Sequence, residues 1–227
     1  ESGKLAAIGE LAAGVAHEIG NPLAAISGYI QLLKETPIHQ KSAHFLEEME
    51  KEAGFIDATI RELLDFSRPS KSEESIVFLN GLVDECLRML SFHKSSRGIL
   101  IEKRLSPRNP RALGSRKELL QAVLNIALNG LQAMEGSGAL SITVDVEEPG
   151  ILHGTAAITI KDTGRGIDPA HTNKIFDPFF TTKRGGTGLG LSITYRIVQR
   201  HQGEIAIDSK PGAGSSFTIL LPLYTEE

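Results

Sequence analysis

The sequence predicts an α+β chain of two modules: a helical hairpin that forms a dimeric four-helix bundle, followed by an α/β sandwich. Three observations predict it. Apolar residues recur every three or four positions through the first third of the chain. A polar stretch containing proline then interrupts the pattern. Beyond it, short strand-like runs alternate with helical patterns. With 227 residues and 41% hydrophobic content, the chain can fill the cores of two small domains.

The first helix is written in Leu5, Ile8, Leu11, Ala12, Val15, Ile19, Leu23, Ile26, Ile30 and Leu33. A break at Thr36-Pro37 precedes a second helical pattern through Phe45, Met49, Ile56, Ile60, Leu63, Leu64 and Phe66, which ends before Arg68-Pro69-Ser70. A lone hairpin covers its apolar stripe poorly. Pairing with a second copy into a four-helix bundle covers it, so a homodimer is expected. The polar stretch Ser67 to Ser75 reads as a linker, and the expected boundaries are 1–68, 69–75 and 76–227.

After the linker, strand-like runs fall at Ile76 to Phe78, Ile99 to Leu105, Leu140 to Val146, Ala156 to Lys161, Glu204 to Ser209 and Ser216 to Leu221. Helical patterns fall at Leu79 to Leu90, Lys117 to Met134 and Leu189 to Arg200. The last two strands are joined by Lys210-Pro211-Gly212-Ala213-Gly214, a hairpin-like turn, and no parallel βαβ repeat is expected. The reading is a mixed sheet covered by helices.

Charge and composition narrow the function classes. A net charge of −4 and a pI near 6.0 give no basic field for nucleic acid. The single cysteine, Cys86, cannot form an internal disulfide and fits a reducing compartment. No stretch approaches about 18 consecutive apolar residues. The expectation is a cytoplasmic piece of a longer protein, and a membrane-bound sensor region upstream is compatible with it.

The chemistry is concentrated in four places. Asp162-Thr163-Gly164-Arg165-Gly166-Ile167 fixes a carboxylate beside two glycines, where it can accept a hydrogen bond from an adenine amino group. Phe176 to Phe180 follows, and then Gly186-Thr187-Gly188-Leu189-Gly190-Leu191, whose backbone N–H groups can approach phosphates closely. Upstream, Asn125 and Asn129 stand four apart on a helix, so both amides share a face and can coordinate a hard cation on a polyphosphate. The fourth place is His17-Glu18-Ile19-Gly20-Asn21-Pro22-Leu23. Neutral imidazole is a nucleophile near pH 7, and the adjacent Glu18 carboxylate can hold its other nitrogen. Asn21, four residues on, shares the face of His17. Pro22 should kink or loosen the helix just after it.

Each feature also has a plainer reading. His17 could be a surface histidine, the two asparagines a polar helix face, Asp162 a turn residue and the phenylalanines core. His-Glu-x-x-His would suggest zinc, but the fifth position here is Asn21.

Together, the aspartate-glycine turn, the phenylalanines, the glycine cluster and the asparagine pair resemble the ATP site of the histidine kinase and gyrase superfamily. The His17 box is similar to the phosphoacceptor box of sensor histidine kinases, and the resemblance runs from about Leu5 to Leu221. It implies an α/β sandwich of the histidine kinase, gyrase and chaperone ATPase type. It also implies ATP and Mg2+ as cofactors, with Asn129 and Asn125 on the metal. Asp162, Gly164, Gly166, Phe176, Gly186, Thr187, Gly188, Leu189 and Gly190 would hold the nucleotide. Lys183 and Arg184 would neutralise phosphates from a lid over Thr181 to Thr187. His17, Glu18 and Asn21 would carry phosphorylation and, through a water oriented by Asn21, dephosphorylation of a partner. The partner would be a response regulator.

Chaperone and gyrase relatives place a water-activating glutamate where this chain has Asn125; an amide is no general base, which separates kinase from ATPase. Gly20 departs from the basic residue the box often carries. A non-enzymatic scaffold that binds nucleotide or a partner is the rival reading, with serine kinase activity a further one.

Overall fold

The computed structural model describes residues 19–33, 44–50, 52–54, 56, 60, 74–147, 154–183 and 186–225. The chain divides into two compact units, one of Glu1–Pro69 with Pro178–Leu189, the other of Ser70–Asp177 with Gly190–Glu227.

In the first unit, residues 19–33 form helix α1 and residues 44–50 belong to helix α2. Tyr29 of α1 stacks on Phe45 of α2 with ring centroids 5.9 Å apart, a contact that ties the two expected hairpin helices together. Pro22 lies buried within α1, and the helix runs on through it. Leu23 and Ile30, seven residues apart and so on one face, are 50% and 43% exposed in the single chain. The earlier part of the expected helix, the Thr36-Pro37 break and most of the linker lie outside the described residues.

The second unit begins with strand β1 (Ser75–Phe78), which runs into helix α3 (Leu79–Ser91). Leu79, Leu82, Val83, Cys86 and Leu90 recur at three- and four-residue spacing and form the buried stripe of α3. Strands β2 (Ile99–Arg104) and β3 (Arg111–Gly114) follow, then helix α4 (Arg116–Ala133). The start of α4 is fixed by its N-cap: the Ser115 hydroxyl accepts from the Glu118 backbone N–H at 3.4 Å, in a Ser-x-x-Glu pattern. The remaining elements are β4 (Gly138–Glu147), β5 (Thr155–Asp162), α5 (Gly190–Arg200), β6 (Glu204–Lys210) and β7 (Gly214–Pro222).

Five strands form one sheet in the order β2-β4-β5-β7-β6, and β1 pairs with β3 in a separate two-stranded ribbon. Strands β4, β5, β7 and β6 are successively antiparallel, with Ile142 opposite Ile160, Ile158 opposite Ile219 and Ile207 opposite Phe217. Leu140, Ile142, Val144, Ile158, Ile160, Phe217 and Ile219 are buried at alternate positions. Helices α3, α4 and α5 supply the other half of the core through Leu82, Leu119, Val123, Ile126, Ile193 and Ile197. Burying a leucine or isoleucine side chain stabilises by about 1.5–3 kcal/mol. The opposite face is polar: Thr159 and Thr218 hydrogen-bond across strands at 3.0 Å. The sheet with its helical layer is the expected α/β sandwich.

Two features add detail to the expected mixed sheet. Strand β2 lies parallel to β4, with Ile99 opposite Gly138 and Ile101 opposite Leu140, so one parallel pair sits in the otherwise antiparallel sheet. Strand β3, Arg111-Ala112-Leu113-Gly114, is an additional strand. Its alanine and glycine carry little strand preference, and it is made by pairing with β1, Ile76 opposite Leu113.

Candidate functional site

Helix α4 organises the candidate site. Near its C-terminal end, Gly130 packs against the end of β5: a Cβ there would lie 3.2 Å from the Asp162 Cβ and 3.5 Å from Asp162 Oδ2. One turn later the Ala133 carbonyl accepts the Arg165 backbone N–H at 3.2 Å, docking the loop after Asp162 onto the helix terminus. A Cβ on Gly164 would lie 2.7 Å from that same carbonyl oxygen, so glycine is what lets the loop seat there.

Asp162 is the last residue of β5 and is 4% exposed. Its Oδ1 accepts from the Gly164 N–H at 2.8 Å and the Ser215 N–H at 3.3 Å. A buried carboxylate held by backbone donors is fixed in orientation, which a group reading the edge of a base requires. The loop is pinned from its far side too. Ser209 Oγ accepts from the Ile167 N–H at 2.9 Å, and the Arg165 carbonyl accepts from the Gly212 N–H at 2.8 Å. A side chain on Gly166 would overlap the Lys210 carbonyl oxygen.

Asn125 and Asn129 are both half-buried on α4. The Asn125 amide nitrogen donates to the Gly190 carbonyl at 3.2 Å and to Thr194 Oγ1 at 3.4 Å, linking α4 to the first turn of α5. Gly190 opens α5, and no other group crowds its Cβ position. Phe176 is half-buried with its ring 5.5 Å from that of Tyr195 on α5, so its visible contact is an aromatic pair.

Within the segment from Pro178 to Leu189, Gly188 has φ +66 and Phe179 φ +65. A Cβ on Gly188 would overlap the Phe179 carbonyl carbon, so the two backbones touch where only glycine fits. Thr181 Oγ1 accepts from the Lys183 N–H at 3.1 Å, the Gly186 N–H donates to the Lys183 carbonyl at 3.4 Å, and Thr187 Oγ1 accepts from the Leu189 N–H at 3.4 Å. Leu189 is fully buried. Arg184 lies outside the described residues, as do His17 and Glu18; Asn21 is exposed on α1.

The structure thus brings together Asp162, Gly164, Gly166, Asn125, Asn129 and Gly190 around one helix. From Asn125 to Gly130 is about 7.5 Å along the helix axis at 1.5 Å per residue. Sequence reasoning missed Gly130, Thr194, Ser209 and Gly214. The turn Lys210 to Gly214 reads as a plain hairpin until its contact with the aspartate loop is seen. A hydroxyl at Thr194, four residues after Gly190 and thus back at the helix start, is the one signal that could have flagged that position.

The donor chemistry fits a magnesium nucleotide. Mg2+ takes hard oxygen ligands and shares its shell with phosphates and water, and asparagine amide oxygens are ligands of that kind. Among the described residues no group of three or more His, Cys, Asp or Glu stands close enough to hold an ion. An ion here would draw its remaining oxygens from a polyphosphate. A cavity of about 410 Å3 opens elsewhere, between the N-terminus of α4 and the C-terminus of α5, lined by Ser115, Glu118, Arg200 and His201. Ser115 lies roughly 15 Å along α4 from Asn125, so this cavity belongs to the other end of the domain.

Comparison with known proteins agrees with this geometry. Residues 114–225 match the histidine kinase-, DNA gyrase B- and HSP90-like ATPase family, and residues 7–71 match the His Kinase A phosphoacceptor domain. The chain is 42% identical over 231 residues to the signal transduction histidine-protein kinase AtoS of Escherichia coli K12, covering 97% of this chain and 36% of that protein. It is 38% identical to the sensor histidine kinase ZraS of the same organism, covering 97% of this chain and 46% of that one. The chain therefore spans less than half the length of these relatives. Among solved structures it resembles histidine kinase ThkA in complex with the response regulator protein TrrA, with a TM-score of 0.78 and 26% identity over 97% of this chain and 63% of that one. With a phosphoacceptor domain followed by the ATPase sandwich, matched together across most of its length, this chain belongs to the sensor histidine kinases of two-component systems.

Proposed function

We propose that the chain is the catalytic core of its parent kinase: it binds ATP with Mg2+ in the sandwich, phosphorylates its own His17, and passes the phosphoryl group to an aspartate of a response regulator. The observation that carries the reading is the assembly of Asp162, Asn125 and Asn129 along α4, with Asn125 bound through its amide nitrogen to the start of α5. An amide so held cannot act as a general base, and water is not activated against ATP. The γ-phosphoryl group is kept for a nucleophile brought to it.

In this reading Asp162 orients the adenine by accepting from its amino group. The glycine segment and the N-terminus of α5 direct N–H groups to the phosphates. Asn125 and Asn129 would hold Mg2+, which would supply positive charge against the charge developing on the leaving ADP. An imidazole nitrogen of His17 attacks the γ-phosphorus in line, an N–P bond forms as the bond to the ADP oxygen breaks, and Glu18 accepts a hydrogen bond from the other ring nitrogen. Lys183 and Arg184 supply positive charge from the lid. The modules are residues 1–68 for dimerisation and phosphotransfer, 69–75 for the linker and 76–227 for ATP binding. Exposed Leu23 and Ile30 suit burial against a second copy. The ThkA complex supports a response regulator as the partner.

Among the described residues no helix is long and apolar enough to cross a membrane. The proposed use of ATP and of a response regulator, both found in the cytoplasm, supports a cytoplasmic core. Asn21, exposed on α1, gives the chain a second activity as a phosphatase toward the regulator, by holding a water for attack.

The test is incubation with γ-labelled ATP and Mg2+, comparing wild type with His17→Gln. Acid-labile label lost in the variant establishes His17 as the acceptor. Label retained in the variant moves the acceptor elsewhere, and absence of label with ATP still bound favours a nucleotide-binding scaffold.

A further inference from the structure

We infer that Thr194, on α5, is a positioning residue for the cation: it fixes which atom of Asn125 faces the nucleotide. The inference rests on the reading of Asn125 as a metal-site residue.

The hydrogen-bond network allows one arrangement only. The Gly190 carbonyl can accept but not donate, so the Asn125 atom that meets it at 3.2 Å is the amide nitrogen. Thr194 Oγ1 lies 2.9 Å from the same carbonyl and donates its single hydrogen there. The hydroxyl must then act as acceptor toward Asn125, whose nitrogen stands 3.4 Å away. Both N–H bonds of the Asn125 amide are thereby directed at α5, and its Oδ1 is turned away from these partners. That oxygen is the only atom of the amide able to bind a hard cation.

Without the Thr194 hydroxyl, the amide keeps one anchor of two and gains freedom to rotate, and each rotation that swaps nitrogen for oxygen removes the ligand from the ion. Thr194 is itself fully buried. Its hydroxyl is part of the wall joining α4 to α5 and acts through Asn125. Valine has nearly the same shape, so Thr194→Val removes the hydroxyl and leaves the packing of α5 in place, while Thr194→Ser keeps the hydroxyl and loses a methyl group.

The experiment measures ADP affinity by calorimetry with Mg2+ and with EDTA, in wild type, Thr194→Val, Thr194→Ser and Asn125→Ala. The expected result for Thr194→Val is a three- to tenfold loss of the Mg2+-dependent gain in affinity, with affinity in EDTA unchanged. Thr194→Ser restores most of the gain, and the Mg2+ concentration giving half-maximal autophosphorylation follows the same order. Equal weakening of Thr194→Val with and without Mg2+ would reduce the residue to a packing role and overturn the inference. So would an unchanged Mg2+ gain in Thr194→Val beside a lost one in Asn125→Ala. If Asn125→Ala also leaves the gain intact, the assignment of Asn125 to the metal site fails first, and the inference with it.

Discussion

Gly214 and Asp162 touch backbone to backbone: Gly214 has φ +88, and a Cβ on it would overlap the Asp162 carbonyl oxygen. The β6–β7 turn thus forms one wall of the loop that holds the Asp162 carboxylate, proposed to read adenine, and the neighbouring Ser215 N–H reaches Asp162 Oδ1. Gly214→Ala combines a left-handed backbone with a steric overlap and should destabilise the sandwich by about 2 kcal/mol or more. Thermal unfolding reports the loss. Calorimetry on the remaining folded protein should show ATP affinity down by more than tenfold, and wild-type values for both would remove the turn from the site.

Gly130 sits closer to its neighbours than a side chain allows without adjustment, 3.0 Å from Leu140 Cδ1 and 3.2 Å from the Asp162 Cβ for a Cβ placed there. Gly130→Ala should therefore push Asp162 by a few tenths of an ångström and weaken ATP binding several-fold, for an unfolding cost of only about 1 kcal/mol. A larger β-branched side chain at this position should abolish binding. Titration with ATP and with a nucleotide lacking the adenine amino group checks the route: the two affinities should converge in the alanine variant.

His201 anchors the opposite end of the domain. Its Nε2 accepts from the Ser115 N–H at 2.9 Å and its Nδ1 lies 2.7 Å from the Ile197 carbonyl, which requires a neutral ring with the proton on Nδ1. Replacing it by leucine leaves a backbone donor at the N-cap of α4 without its acceptor and should cost about 1–3 kcal/mol. His201→Gln can accept from the same N–H and should cost less. Nucleotide affinity should be unchanged in both, since the pair lies about 15 Å along α4 from Asn125.

Burial, with a smaller contribution from the Glu85 carboxylate, pushes the Cys86 thiol up from 9.0 to about 12. The folded state holds the proton more tightly than the unfolded chain. The stability this group contributes is complete below pH 9 and is lost as pH rises from 9 towards 12. Cys86→Ala should flatten the alkaline limb of the stability profile measured by denaturant unfolding. In the folded wild type at pH 8, the thiol should resist alkylation until the domain opens.

Asn21→Ala should lower dephosphorylation of a phosphorylated response regulator by at least tenfold and leave label on His17 unaltered. The assay follows release of inorganic phosphate from the regulator. Retained phosphatase activity would remove Asn21 from that reaction.

Much of this protein was legible in its sequence because the signals are local. Period-3.6 patterns place α3, α4 and α5 to within a residue or two, and alternation places six of the strands, since burial on one side of a helix or sheet is a property of neighbours along the chain. The asparagine spacing and the aspartate-glycine turn mark the candidate nucleotide site because helix geometry and glycine backbones act within five residues. The His17 box likewise pointed to a phosphoacceptor domain from a seven-residue string, and residues 7–71 match that family.

Tertiary structure alone decided the rest. Strand β3 exists because β1 lies beside it, and its own residues carry little preference for a strand. The parallel pairing of β2 with β4 depends on a crossover through α4 that no local pattern encodes. The contacts that hold Asp162 come from Gly130, 32 residues earlier, and from Gly214 and Ser215 beyond α5 and β6. Asn125 reads as a metal-facing amide in the sequence, yet which of its two atoms turns toward α5 is set by Gly190 and Thr194, 65 and 69 residues away. Local strings specify which groups are present; the fold specifies how they point, because orientation in a packed interior is fixed by partners far along the chain.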